Sequence, residues 1–182
     1  ALLVLALIQL GISFLSTLRG PLAISDDDYA RVVISQNLAL HPKLDPTGTS
    51  WLPFPFYVTG AAMAAFGTTL DVARQTQILL ALVAAFLLYF AARRLGHSPW
   101  MSVLAASLGA SLPSAARLGI ATVPEYPTAA CLVFAMASLV RPAAVGDDGL
   151  GADDAETNAW RKRAERLLGA EPALVLGGLA VY

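Results

Sequence analysis

Three consecutive aspartates, Asp26-Asp27-Asp28, come soon after a charge-free apolar run from Ala1 to Leu18. Carboxylates so placed could do one of three things. A positioned carboxylate can take a proton from an attacking hydroxyl, typically worth about 10²–10⁴-fold in rate. Carboxylate oxygens can also ligate a divalent cation. The plainest alternative is a helix start, where each acid near the amino-terminal dipole gains about 0.3–1 kcal/mol. One or two acids would suffice for that, and three crowd like charges together. Glu125 is the second conspicuous acid, in the short connection Val123-Pro124-Glu125-Tyr126-Pro127 between two apolar runs. An ionisable group at a membrane helix end is costly and often functional, although a solvated turn charge explains it equally well. Other side chains promise less. Cys131 stands alone in an apolar run and reads as a small hydrophobe, without a disulfide or thiolate site. His41 and His97 lack ligand spacing, and no basic stripe interleaved with aromatics points to nucleic acid.

The elements that must carry these acids belong to a bilayer. Apolar residues make up 57% of the 182-residue chain and charged ones 14%, against about 25% charged in ordinary soluble domains. The charges are clustered, leaving uncharged runs at Ala1–Leu18, Gln75–Ala92, Leu95–Ala116 and Tyr126–Val140. A spanning helix needs roughly 17–25 mostly apolar residues. The expected fold is therefore an all-α polytopic membrane protein with four transmembrane helices, about 1–18, 71–92, 99–116 and 123–140. A truncated fifth occupies about 172–182. Ala1–Leu18 lacks the basic start and cleavage site of a secretory signal. The absent initiator Met and the apolar run that stops at Tyr182 imply a piece of a longer protein.

Residues 19–70 form the first outer loop, with interfacial helices expected at about 26–39 and 54–66. Ser25 is placed to cap the first, and Asp28 to close an S-x-x-D box. Tyr29, Val32, Val33 and Leu38 would supply its apolar side. His41-Pro42 to Ser50 then breaks the helix. The apolar run after Pro55 is too short to span and suits a helix at the membrane face, with Trp51, Phe54, Phe56 and Tyr57 in the aromatic belt. A Gly/Asp-rich cytoplasmic linker with a basic helix is expected at 141–171. Arg93-Arg94, Arg141 and Arg161-Lys162-Arg163 would share the cytoplasmic side, so the aspartates and Glu125 would both face outward.

This order of features resembles the GT-C glycosyltransferases, in particular the protein-mannosyltransferase-like and aminoarabinose-transferase-like group. The acidic pair with a nearby aromatic corresponds to Asp26-Asp27 and Tyr29, and the proline-rich patch to Leu52-Pro53-Phe54-Pro55-Phe56-Tyr57. The lysine often seen before that patch is replaced by Trp51-Leu52. The segment from Leu70, with Ala73-Arg74 near its start and Ala92-Arg93-Arg94 at its end, looks like the group's next span. The acid of the next outer turn falls at Glu125.

The resemblance implies sugar transfer from a polyprenyl-phosphate donor to a glycan, lipid or protein acceptor, by direct displacement on the outer face of a bacterial plasma membrane. It implies Asp26 or Asp27 as the general base, chosen over Asp28 by the D-D-x-Y spacing, with Glu125 orienting the acceptor or the first acid. Asp28, Tyr29, Arg31, Lys43 and Arg117 are the expected substrate contacts, the three basic groups facing the phosphate. A divalent cation on Asp26 or Asp27 is an open alternative, and no other cofactor is indicated. A transporter or flippase, or a structural subunit without chemistry, is the competing reading; a transporter would show a polar path or broken helices at the bilayer midplane.

Overall fold

The structure is a computed structural model that describes residues 1–18, 25–48, 51 and 53–139. The linker expected at 141–171 and the fifth span at 172–182 lie outside the described residues. Among the described residues the only regular elements are helices, seven in the order α1 (Leu2–Leu18), α2 (Asp26–Leu40), α3 (Phe54–Phe66), α4 (Leu70–Arg94), α5 (Pro99–Ser111), α6 (Pro113–Leu118) and α7 (Glu125–Leu139).

The long helix α4 is the hub, with α1, α3, α5 and α7 packed around it. Its ends are set by local chemistry. The Thr69 hydroxyl accepts from the Val72 amide at 3.3 Å, Asp71 lies in the first turn and Arg93 and Arg94 in the last, an order that suits the helix dipole. Its buried face is small: Ala73, Ala81, Ala84, Ala85, Ala91 and Ala92 are all covered. The facing stripe of α5 is Ser102, Ala106 and Ala110. Small side chains let helix backbones approach closely, and this close contact substitutes for the hydrophobic drive that a bilayer lacks. Many large apolar side chains point outward, including Leu7, Phe14, Leu79, Leu104 and Leu132, while Leu5, Phe56, Met63 and Phe134 are buried.

Four uninterrupted spans are not what the described residues contain. Among the described residues only α4, with 25 residues, is long and apolar enough to cross a bilayer, at about 38 Å. The helices α1 and α7 are shorter, at 17 and 15 residues. The expected span 99–116 is not continuous, because α5 stops at Ser111 and α6 starts at Pro113. Leu112, with ψ 134, has extended backbone, the conformation a following proline imposes on its predecessor.

The surface helices form where the sequence places them, with different contacts. Ser25 caps α2, accepting from the Asp28 amide at 3.4 Å. The capping box is not closed, because the Asp28 carboxylate turns inward. The apolar side of α2 is also displaced from expectation. Asp28, Val32, Ser35 and Leu38 are buried, while Tyr29 and Val33 are about half exposed. Those four recur at i, i+4, i+7 and i+10 on one stripe, and Tyr29 and Val33 lie beside it. The stripe faces α3, where Gly60 permits the approach: a Cβ there would lie 3.0 Å from Leu38 Cδ2 and 3.3 Å from the Ser35 carbonyl oxygen. Gln36 donates at 3.0 Å to the Thr68 carbonyl, fastening α2 to the α3–α4 turn.

Gly60→Leu should therefore lower the melting temperature of the purified protein, by an overpacking cost of about 1–3 kcal/mol. Gly11→Ala, where nothing lies within 4 Å, should leave it unchanged or raise it. Equal melting temperatures for Gly60→Leu and the parent would show that α2 and α3 do not meet at this glycine.

Candidate active site

The helix directions bring one set of ends together. The chain enters α4, α7 and α2 at the same end of the bundle, and α5 and α6 deliver the connection 119–124 there. Asp28 is the point of convergence. Its side chain has no solvent exposure, and Arg74 of α4 grips it with both terminal amines, Nη1 donating to Oδ1 at 2.8 Å and Nη2 to Oδ2 at 2.6 Å. Arg74 Nη1 also donates to the Ile120 carbonyl at 3.0 Å. From the 119–124 connection, the Thr122 amide donates to Oδ1 at 2.7 Å. The Thr122 hydroxyl sits 2.8 Å from the Asp28 carbonyl oxygen and 2.5 Å from Oδ1, so its single proton serves both. Gly119 allows that connection to lie flat on α4, since a Cβ there would stand 3.2 Å from Ala81 Cβ.

Burial by itself would raise the Asp28 pKa. The hydrogen bonds from Arg74 and Thr122 and the charge of Arg74 outweigh it and hold the carboxyl below its ordinary value of 3.8. A buried carboxylate pays a desolvation cost that only well-made partners offset, and here every partner is in place.

Around this latch the sequence-derived site residues divide. Asp26 and Asp27, in the same first turn of α2, are exposed, as are Tyr29 and Glu125. Glu125 opens α7 three residues beyond Thr122, so the latch brings it to the same end as the acidic turn. Arg117 is exposed in the last turn of α6, beside the connection. Arg31 lies over the Trp51 ring at 4.6 Å and the Phe56 ring at 5.7 Å. Lys43 is elsewhere. It sits beyond the far end of α2, about 20 Å along that helix from the acidic turn, on a mostly apolar groove of about 530 Å³ walled by Leu38, Leu44, Tyr57 and Ala61. Asp28 itself is sealed from solvent. Among the described residues no group of three or more His, Cys, Asp or Glu converges as a metal site. Asp26 and Asp27 together would supply only part of the roughly six to eight oxygens that a calcium ion takes.

Sequence reasoning passed over Arg74 and Thr122. The signal was there, since an arginine in the first turns of an apolar helix must find an acid.

The chain belongs to the dolichyl-phosphate-mannose-protein mannosyltransferase family, whose sequence profile matches residues 42–148, more than half of its length. Members are membrane glycosyltransferases of the GT-C type that use polyprenyl-phosphate-linked sugars. No curated protein and no solved structure matches the chain. The matched region includes Arg74, Arg117, Thr122 and Glu125 but starts after α2, so the acidic turn joins it through the Asp28 latch.

Asp28→Leu should destabilise the protein by roughly 3–5 kcal/mol, because it strands the Arg74 charge. Asp28→Leu combined with Arg74→Met should recover much of that loss. The pH dependence has a definite sign. The folded-state pKa is depressed, so the latch contributes fully above the unfolded value and is lost as pH falls through the folded one. The melting-temperature gap between the parent and Asp28→Asn should stay flat from pH 8 to 5 and narrow only below about pH 4. A gap that closes between pH 7 and 5 would contradict the latch.

Proposed function

We propose that the protein transfers a sugar from a polyprenyl phosphate to an acceptor hydroxyl on the extracytoplasmic face of a bacterial plasma membrane. In this reading α1, α4, the broken α5–α6 pair and α7 are its membrane-crossing elements. Arg93 and Arg94 at the far end of α4 favour a cytoplasmic position for that end, which turns the acidic end outward. The observation that carries the proposal is the arrangement at that end. One aspartate is consumed as a buried latch, and two exposed aspartates and Glu125 lie at the same end of the helices as that latch.

The chemistry is a direct displacement. The acceptor oxygen attacks the anomeric carbon and forms the new glycosidic bond. The bond from that carbon to the phosphate oxygen breaks, and its electron pair leaves with the phosphate. Asp27 or Asp26 takes the acceptor proton as the attack proceeds, and Glu125 orients the acceptor or the first acid. Such a base contributes about 10²–10⁴-fold. Cationic donors must meet the charge that develops on the phosphate, and Arg117 is one cation at this end. The break at Pro113 opens the short helix that leads into the 119–124 connection, which supports a role for it in positioning that end rather than in a transporter's midplane site.

The test is a transfer assay on the intact protein reconstituted in lipid. Replacing Asp26 and Asp27 together by Asn should abolish transfer while the melting temperature stays at the parent value. Glu125→Gln should reduce turnover by about 10-fold or more. Full activity in the double Asn variant would remove both aspartates from the mechanism.

A further inference from the structure

A groove of about 530 Å³ lies away from the acidic turn, between the carboxy-terminal part of α2, the loop that follows it and α3. Pockets that hold small ligands run to about 300–1,000 Å³. The α3 wall is made by Tyr57, Gly60, Ala61 and Ala64, which fall at i, i+3, i+4 and i+7 and so share one side of that helix. Leu38 closes the groove from α2 and Leu44 from the loop. Leu44 is 93% exposed, so the mouth is apolar too. The Tyr57 hydroxyl is already engaged, donating to the Leu44 carbonyl. Lys43 is the charged side chain on this lining, and among the described residues it forms no ion pair. The nearby acid is turned away from it. Asp45 Oδ1 accepts from the Thr47 and Gly48 amides at 3.0 and 3.1 Å and from the Thr47 hydroxyl at 3.1 Å.

A peptide laid in this groove would bring backbone N–H and C=O groups that its hydrocarbon walls cannot satisfy, and burying such groups unpaired costs free energy. A hydrocarbon chain brings none. The cation at the mouth then selects what the chain carries, because an anionic headgroup complements Lys43 and a zwitterionic one brings a cation of its own. The bilayer around a membrane glycosyltransferase supplies both parts in one molecule. We propose that the groove is a phospholipid site, in which one acyl chain of an anionic bilayer phospholipid lies between α2 and α3 with its phosphate beside Lys43. This lipid is distinct from the sugar donor. In a donor the phosphate is bonded directly to the carbon under attack, so it must lie at the acidic turn, about 20 Å from Lys43 along α2. That distinction rests on the transferase reading; the fit of chain and headgroup does not. A lipid so seated fills the space beside the contact at Gly60 and ties the helix that carries the acidic turn to the bilayer.

The experiment counts bound lipid. The intact protein in mild detergent is titrated with phosphatidylglycerol and separately with phosphatidylcholine, and the complexes are counted by native mass spectrometry. The parent should hold one phosphatidylglycerol more tightly than any further copy, and more tightly than phosphatidylcholine. Lys43→Gln should weaken that phosphatidylglycerol by about 5-fold, the effect of one basic residue on an anionic lipid, and leave phosphatidylcholine unchanged. Ala61 and Ala64 are exposed on the groove wall. Ala61→Phe or Ala64→Phe therefore fills the groove without entering the core, and either should weaken both lipids by about 10-fold or more as the chain loses its apolar cover. Ala65→Phe, an exposed position of α3 off the groove lining, should change neither. Equal affinity of the parent for the two lipids overturns the proposal, and so does unchanged phosphatidylglycerol binding in folded Lys43→Gln or in both folded Phe variants. Displacement of the phospholipid by a short-chain prenyl phosphate would mark the groove as a donor site and overturn it as well. No sugar is transferred in this titration, so a protein that holds the phospholipid but transfers nothing would uphold the groove and sink the transferase reading instead.

Discussion

A single carboxylate that cannot reach water organises this end of the protein. Asp28 would be intolerable where it lies without Arg74, and Arg74 would be an unpaired charge near the start of an apolar helix without Asp28. Thr122 completes the set with two donors from a third part of the chain. The three residues come from a surface helix, the longest apolar helix and an irregular connection. None of these elements could be moved relative to the others without breaking a charge-assisted hydrogen bond. The rest of the site follows from this constraint. Asp26 and Asp27 stay exposed on the turn that Asp28 anchors, and Glu125 starts α7 at the same end because it follows the connection that Asp28 holds.

Packing elsewhere obeys a different rule. Along α4 six of the eight buried residues are alanine, the others being Gln77 and Tyr89, and many of the bulky apolar residues of the helices face outward. Such an interface gains by shape and closeness, with little directional preference of its own. Direction enters at the polar end, where hydrogen bonds fix which residues meet. The two kinds of contact are complementary: alanine seams let helices lie close, and the latch fixes their register.

The sequence revealed the elements better than it revealed their partners. Hydropathy and proline placement located α2 and α3 almost to the residue, since a capping Ser25 and a proline in the first turn act over three or four positions. The break at Leu112-Pro113 was harder, because one proline in an apolar run is compatible with either a kink or a stop. The acidic triplet was legible as important, but its division of labour was not. Which aspartate turns inward depends on the rotation of α2 against α3, and that rotation is decided by Gly60, Leu38 and Ser35, residues without chemistry of their own. The spacing that singles out Asp26 and Asp27 says nothing about Asp28's burial. Arg74 was legible as a charge that must find an acid, but which acid it finds, and the part of Thr122, exist only in contacts made across 46 and 94 positions.

Those separations also set an order of assembly. A chain made from its amino terminus contains Asp28 well before α4 exists, and long before the connection after α6. Until then α2 has its cap and its own hydrogen bonds, but its third acid must remain hydrated. Arg74 arrives next and can draw that acid out of water; Thr122 arrives last and seals it. The contacts of Asp28 are thus complete only after α3, α4, α5 and α6 have been synthesised. A nascent chain halted before α6 would carry every aspartate of the triplet without the Thr122 donors that close around Asp28.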